Sequence, residues 1–263
     1  MDAIITFLAF PVNLIFALVW AAGVLWLWMY CRHSSAVRFL LSRGAVISSI
    51  SLMLIFCLVI GFTGVRRLAY SIPFALVMLY LMTVLAFVLL RGWRVRGKTG
   101  LSSIRWRFVM LHAGLLLALA SSFWGRPDTE TLHMSISEGA SADEAYRPDG
   151  TLKVLPYQVE LKDLDVRFYD GGTPMSYEAS LLVGGKEALV KVNHPYRISF
   201  GEDLYLAGYE PDKGTDSCVV MIVREPGRYS TLAGILMIIC GAFLMFFAGP
   251  VKKRKSVAYG DME

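Results

Sequence analysis

The chain has 263 residues, 56% of them apolar and 18% charged, with a mean hydropathy of +0.53 and a formal net charge of +5. So much apolar mass excludes an ordinary soluble enzyme domain, a disulfide-rich secreted module and a disordered polypeptide. The charge is unevenly divided: Gly125 to Arg228 holds 18 acidic and 11 basic residues, while the rest holds 15 basic residues and three acids, Asp2, Asp261 and Glu263. A nucleic-acid-binding protein would gather its lysines and arginines on the folded domain. Here they flank apolar runs, which is the pattern of membrane topology.

A span needs about 20 mostly apolar residues to cross roughly 30 Å of hydrocarbon. Five stretches meet that need: Ile5–Tyr30, Ala45–Phe62, Ser71–Leu90, Trp106–Trp124 and Tyr229–Gly249. The first is too long for a signal-peptide core, and Asp2 stands where a basic segment would precede one; it reads as a retained span. Basic residues cluster at Arg32–Arg43, Arg91–Arg107 and Lys252–Lys255. All three fall in the cytoplasm if the N-terminus is outside, and the C-terminus is then inside. The loop with Arg66 and Arg67 is a minor violation of that arrangement.

The expected fold is therefore an α-helical integral membrane protein of five spans, with one external β-rich domain between spans four and five. Its parts are a four-span membrane domain (1–124), the external domain (125–228), the fifth span (229–249) and a basic cytoplasmic tail (250–263). Within the external segment, Tyr157, Val159 and Leu161 alternate with polar residues, and Leu164, Val166 and Phe168 alternate in a register slipped by one. That slip at Lys162-Asp163 predicts a β-bulge. A turn at Asp170-Gly171-Gly172, a strand over Tyr177–Val183, a hairpin loop at Gly184-Gly185-Lys186 and a strand over Ala188–Val192 follow. Further strands are expected near Leu204–Ala207 and Cys218–Arg224. The polar stretch Glu138–Gly150 reads as a mobile loop.

Few residues offer chemistry. Cys31, Cys57, Cys218 and Cys240 have no CxxC spacing, and the chain carries no CxxCH, Walker A, HExxH or GxSxG motif. Cys218 reads as a strand residue. His33, beside Arg32, reads as a solvated interfacial residue, His133 as a surface residue close to the membrane, and His194, held extended before Pro195, as a corner at a strand end. His112 stands out. It lies in the apolar run FVMLHAGLLLALAS (Phe108–Ser121), roughly 9 Å along the helix from Trp106, where an ionisable group is costly and usually functional. Gly114, Ala118 and Ser122 form a small-residue stripe suited to close helix packing, and His112 faces away from it with Leu115, Leu116 and Leu119. Two readings are open on these residues alone: an axial ligand to haem iron, or a histidine hydrogen-bonded to a neighbouring helix.

The order of segments resembles a known family. A span with a histidine followed by Ala-Gly-Leu leads into LPYQVELKDLDVRFYDGGTPMSYEASL (Leu155–Leu181), VNHPY (Val192–Tyr196) and DLYLAGYE (Asp203–Glu210), and the last span is entered through VREPGRYSTLAGILM (Val223–Met237). In this order, over Ala45 to Gly249, the chain resembles the ResB (CcsB) family, the membrane partner of CcsA/ResC in system II cytochrome c biogenesis. The resemblance implies a cell-membrane subunit that moves haem b in transit outward and presents it to apocytochrome c. It implies that His112 is a haem ligand, paired with a histidine of the CcsA/ResC-type subunit. Val192, Asn193 and Pro195 match the family's VN-x-P segment and are implied to determine the fold; His194 is not implied to be a ligand. The external domain is shorter than in many relatives, and the first span is additional. All six tryptophans, Trp20, Trp26, Trp28, Trp93, Trp106 and Trp124, lie in or beside spans, so the tryptophan-rich segment of CcsA-type proteins is expected on another polypeptide. The chain is accordingly expected not to be an enzyme on its own. Its partners would be the CcsA/ResC-type protein, apocytochrome c, haem and membrane lipid, with no nucleic acid. The alternative is a haem-free membrane scaffold that acts through its external domain. Transport in its own right is disfavoured by the lack of an inverted repeat or discontinuous helix pair.

Overall fold

The computed structural model describes residues 9–96, 102–171, 174–210 and 217–247. The basic tail at Lys252–Lys255, Asp2, the first residues of the Ile5–Tyr30 span, Gly172 of the expected turn and Gly249 lie outside the described residues. The chain falls into two compact units, Met1–Ala22 with Ala120–Thr231, and Gly23–Leu119 with Leu232–Glu263.

Among the described residues, five helices are long and apolar enough to cross a membrane: α1 (Val12–Tyr30), α3 (Arg43–Thr63), α4 (Ile72–Gly92), α5 (Trp106–Gly125) and α6 (Arg228–Phe247), with a short α2 (Ser35–Leu40) after the first. They match the five expected spans to within a few residues, except that α1 starts at Val12. Serines start α2 and two of the five: the hydroxyls of Ser34, Ser42 and Ser71 accept the backbone N–H groups of Val37, Ala45 and Phe74, which satisfies donors that a helix N-terminus otherwise leaves unpaired. Gly64 closes α3 in the left-handed conformation, φ 65°. The outward faces remain apolar, with Ile47, Phe62 and Phe246 largely exposed. Such surfaces suit lipid rather than water.

In the unit built on Gly23–Leu119 and Leu232–Glu263, α4 carries most of the buried side chains, among them Met78, Met82, Val84 and Phe87. Tyr80 Oη lies 2.9 Å from Ser48 Oγ and donates to Ala45 O at 3.3 Å, tying α4 to the start of α3. Between α4 and α5 a short hairpin pairs β1 (Arg94–Arg96) with β2 (Ser102–Ile104). The small-residue stripe does what its spacing predicts. A Cβ on Gly234 would stand 2.6 Å from Gly114 O and 2.7 Å from Ala118 N, and one on Gly241 would stand 3.0 Å from Leu111 N. The backbones of α5 and α6 therefore approach as closely as glycine allows.

The other unit holds an antiparallel sheet of eight strands: β3 (Glu130–Ser137), β4 (Ser141–Tyr146), β5 (Leu152–Phe168), β6 (Pro174–Val183), β7 (Lys186–Lys191), β8 (Tyr196–Ser199), β9 (Glu202–Glu210) and β10 (Ser217–Arg224). Their spatial order is β7-β6-β5-β4-β3-β10-β9-β8. The sheet curls like a barrel, and its edge strand β7 comes near β8 and β9 of the other end. Inward side chains from all parts of the curl, including Met134, Val159, Leu161, Leu181, Val190, Leu204, Val220 and Ile222, form one core. The bulge occurs where the alternation slips: Leu161 faces Leu181, then Asp163 faces Ser180. The Gly184-Gly185 loop joins β6 to β7 with both residues at positive φ, 53° and 80°, as a two-residue hairpin requires. Asn193, at φ 63°, is the one non-glycine residue at positive φ among the described residues; its turn is closed by His194 N–H donating to Lys191 O at 3.0 Å. Asparagine tolerates this conformation better than most side chains, which gives the VN-x-P segment a structural reason.

One expectation fails. Glu138–Gly150 is not a loop throughout: Ser141–Tyr146 forms β4, paired with both β3 and β5. Strands β3 and β8 were also not expected.

Because Gly234 has no room for a side chain, Gly234→Ala should lower the stability of the detergent-solubilised protein by about 1–3 kcal/mol, the usual cost of overpacking. Gly23, inside α1 with nothing near its missing Cβ, is the control. Gly23→Ala should be neutral or stabilising by up to about 1 kcal/mol through helix propensity, and thermal unfolding of both variants checks the contrast.

Candidate functional site

His112 sits on α5, half-buried, and its surroundings are built by three nearby residues of the same unit. Phe108, one turn earlier, stacks its ring on the imidazole with centroids 4.0 Å apart and planes 25° apart. Arg105 places its guanidinium carbon 4.9 Å from the Phe108 ring centroid, a cation–π contact. Gly92, at the end of α4, makes the arrangement possible, since a Cβ there would fall 2.4 Å from Phe108 Cζ. The column Arg105–Phe108–His112 follows i, i+3, i+7 spacing, so it runs along one face of α5.

The hydrogen bonding of the imidazole selects a tautomer. Nδ1 lies 2.9 Å from the Phe108 carbonyl oxygen. A carbonyl only accepts, so Nδ1 must donate. In the neutral ring this leaves the lone pair on Nε2, the arrangement in which metal-binding histidines are held when a backbone carbonyl orients them. His112 has no other hydrogen bond among the described residues. The donor set thus fits one bond to haem iron.

The other sequence candidates lie apart from this column. His33 is exposed just beyond α1, and His194 is exposed in its turn between β7 and β8. His133 is half-buried on β3, opposite Met221 on one side and Tyr146 on the other. Cys218 is fully buried in the sheet core, and burial pushes its thiol up to about 11, which makes it inert as a nucleophile. Phe108 and Arg105 were not singled out in the sequence, although their spacing from His112 would have allowed it. Gly92 could be found only through the packing of α4 against α5.

Two polar clusters organise the end of the sheet where β3 begins and β10 ends. Glu130 accepts from Arg147 Nε at 2.9 Å and from Lys153 Nζ. Burial works against its ionisation, but the hydrogen bonds and charges of Lys153 and Arg147 outweigh it and hold the carboxyl below its ordinary range. Glu202 accepts from Tyr157 Oη at 2.9 Å and from Ser199 Oγ at 3.0 Å; burial first, and then Glu202, raise the tyrosine well above its usual value. Between the clusters lies a cavity of about 260 Å³ with Leu132, Pro156 and Ile222 in its wall. Asn13 and Asp128 tie the start of α1 to the same unit: Asn13 Nδ2 donates to Asp128 Oδ2 at 2.7 Å and to Trp124 O at 2.8 Å, and Phe10 N–H donates to Asp128 Oδ1 at 2.8 Å.

Residues 97–224 match the model of the ResB-like family. No curated protein matches the chain. Among solved structures, one titled cytochrome c heme lyase CcmF is similar at a TM-score of 0.38 and 12% identity, covering 74% of this chain. This chain spans 33% of that one, so about a third of its length. At that score the likeness carries no argument about function.

Glu130 supplies a pH test of the sheet. Its folded value is depressed, so its contribution is complete at neutral pH and is lost as the pH falls through that value. Thermal unfolding should show wild type losing stability on acidification below pH 5, whereas Glu130→Gln should start less stable at pH 7 and lose less over the same interval.

Proposed function

We propose, from the match of residues 97–224 to the ResB-like family model, that the protein is the ResB-like subunit of a system II cytochrome c synthase. It assists the passage of haem across the membrane and its presentation to apocytochrome c. A role in cytochrome c biogenesis follows from the family; the finer assignment rests on one observation, the Nδ1 bond of His112 to the Phe108 carbonyl.

In this reading Nε2 of His112 would hold the haem iron together with a histidine of a CcsA/ResC-type subunit. Bound haem supplies the vinyl groups to which reduced cysteines of the apocytochrome add. What this chain contributes is positioning. The Phe108 carbonyl holds the Nδ1 proton, the stacked Phe108 ring fixes the plane of the imidazole, and Gly92 leaves space for that ring. Apolar neighbours Leu115 and Leu119 exclude water from the same face. The basic loops of the sequence support an outer position for the eight-stranded sheet, where it would meet the partner subunit or apocytochrome.

The test is to copurify the chain with its CcsA-like partner in detergent and record the haem spectrum of wild type and His112→Ala. Loss or a clear shift of the Soret band at unchanged recovery of the complex is the expected result. An unchanged haem content and spectrum would remove His112 as a ligand and leave the scaffold reading. Gly92→Val, which displaces Phe108 without touching the histidine, should weaken haem retention by about 10–100-fold, the usual effect of disturbing groups that orient a metal-binding histidine.

A further inference from the structure

Phe200 is 74% exposed in the two-residue turn between β8 and β9, yet it is not isolated. Its ring lies 4.7 Å from that of Tyr229, the second residue of α6, at an interplanar angle of 32°. Two arginines share the same tyrosine: the guanidinium carbons of Arg197 and Arg228 lie 5.7 Å and 4.9 Å from its ring centroid. Arg228 Nη2 also donates to Tyr229 Oη at 2.9 Å, and Nη1 donates to the buried carboxylate of Asp203.

The turn is clamped in place. Gly201 has φ +76°, and a Cβ there would fall 2.8 Å from Pro226 Cα. Glu225 N–H donates to Gly201 O at 2.6 Å. The exposed phenylalanine is thus fixed against the linker that enters α6, so its height is tied to that of Tyr229. Helix α6 has 20 residues, about 30 Å at 1.5 Å per residue, which is the thickness of the hydrocarbon core. Its first turn must therefore stand at the boundary of that core, and Phe200 stands there with it.

Asp203 takes a hydrogen bond from Arg228, and Arg197 Nε lies 3.7 Å from the same carboxylate. Arg197 is the guanidinium that faces outward: its side chain is 66% exposed against 23% for Arg228. The nearby carboxylate of Glu202 is turned to the hydroxyls of Tyr157 and Ser199.

We propose that the turn at Phe200-Gly201, with Arg197 and Tyr229, is a phospholipid contact in which Phe200 enters the headgroup–acyl boundary and Arg197 pairs with a lipid phosphate. Aromatic rings and arginines are the side chains that membranes hold at this depth. The contact would fix the height of the sheet over the bilayer through a second point besides the helices that lead into it. It does not depend on haem.

The experiment places the photoreactive phenylalanine analogue p-benzoylphenylalanine at position 200 of the chain, in nanodiscs of phosphatidylcholine and phosphatidylglycerol. The control position is Met175, 58% exposed beside the Phe168–Pro174 pair at the other end of the sheet, where Phe168 meets Tyr209. Illumination and mass spectrometry should show phospholipid adducts at 200 and only background at 175. Equal yields at the two positions, no adduct at 200, or cross-links from 200 only to protein would overturn the proposal. Arg197→Gln in the position-200 chain should reduce the adduct yield with the sheet's circular dichroism unchanged; an undiminished yield would overturn the phosphate contact.

Discussion

Helix α5 ends and helix α6 begins at two glycines that stand against each other, and the sheet is built on that meeting. A Cβ on Gly125 would lie 3.5 Å from Gly227 Cα, and one on Gly227 would lie 3.2 Å from Ser121 O. Ser121 and Thr231 join their hydroxyls at 3.0 Å across the same contact. The chain therefore leaves and returns at nearly one point. The strands attached at that point, β3 and β10, are neighbours in register from Glu130–Arg224 to Ser137–Ser217. Every other strand is added outward from this central pair, β4 to β7 on one side and β9 and β8 on the other. The curl that brings the two edges near each other encloses the core.

Polar side chains secure this junction instead of extending the core. Asp203 is buried and would be costly alone; Arg228, at the first position of α6, supplies the charge and the donor that it needs. Asp128 collects the backbone of Phe10 and the amide of Asn13. These contacts contribute direction more than net stability, since each ion taken from water loses hydration that its partner only replaces. Their shared effect is to fix how the helix ends leave the sheet.

Much of this was legible because it is periodic. The five apolar runs, the one-residue slip at Lys162-Asp163 and the Gly184-Gly185 hairpin are all local patterns, and each structure follows its pattern closely. Strand β4 was not legible because SADEAY carries only one deeply buried side chain, Ala145; its order comes from the pairing with Leu152, Lys153 and Val154, not from its own composition. Partners distant in sequence were hidden for a similar reason. Asn13 and Asp128 are 115 residues apart and Asp203 and Arg228 are 25 apart, and nothing in either neighbourhood marks the other. At the candidate site, His112 was legible as a costly residue in an apolar run. The stack that orients it needed the structure, since Phe108 looks like any apolar helix residue until Gly92 is seen to make room for it.

In the proposed function, helix α5 serves two contacts that would conflict on a single face. Close packing on α6 requires small residues and admits no bulky polar ring, while a haem ligand requires a free nitrogen and space beside it. At about 100° per residue, Gly114 and Ala118 lie roughly 200° and 240° around the axis from His112, and Leu115, Leu116 and Leu119 lie within about 60° of it. The glycine face is consumed by Gly234 and Gly241. The histidine face keeps Leu115 exposed and His112 half-buried, and its Nε2 is the polar atom left for a group from outside the unit. Separation of the two faces is what allows the helix pair to be rigid and the imidazole to remain available. Damage to the glycine face should therefore appear as lost stability and, in the proposed function, damage to the histidine face as lost haem at unchanged stability.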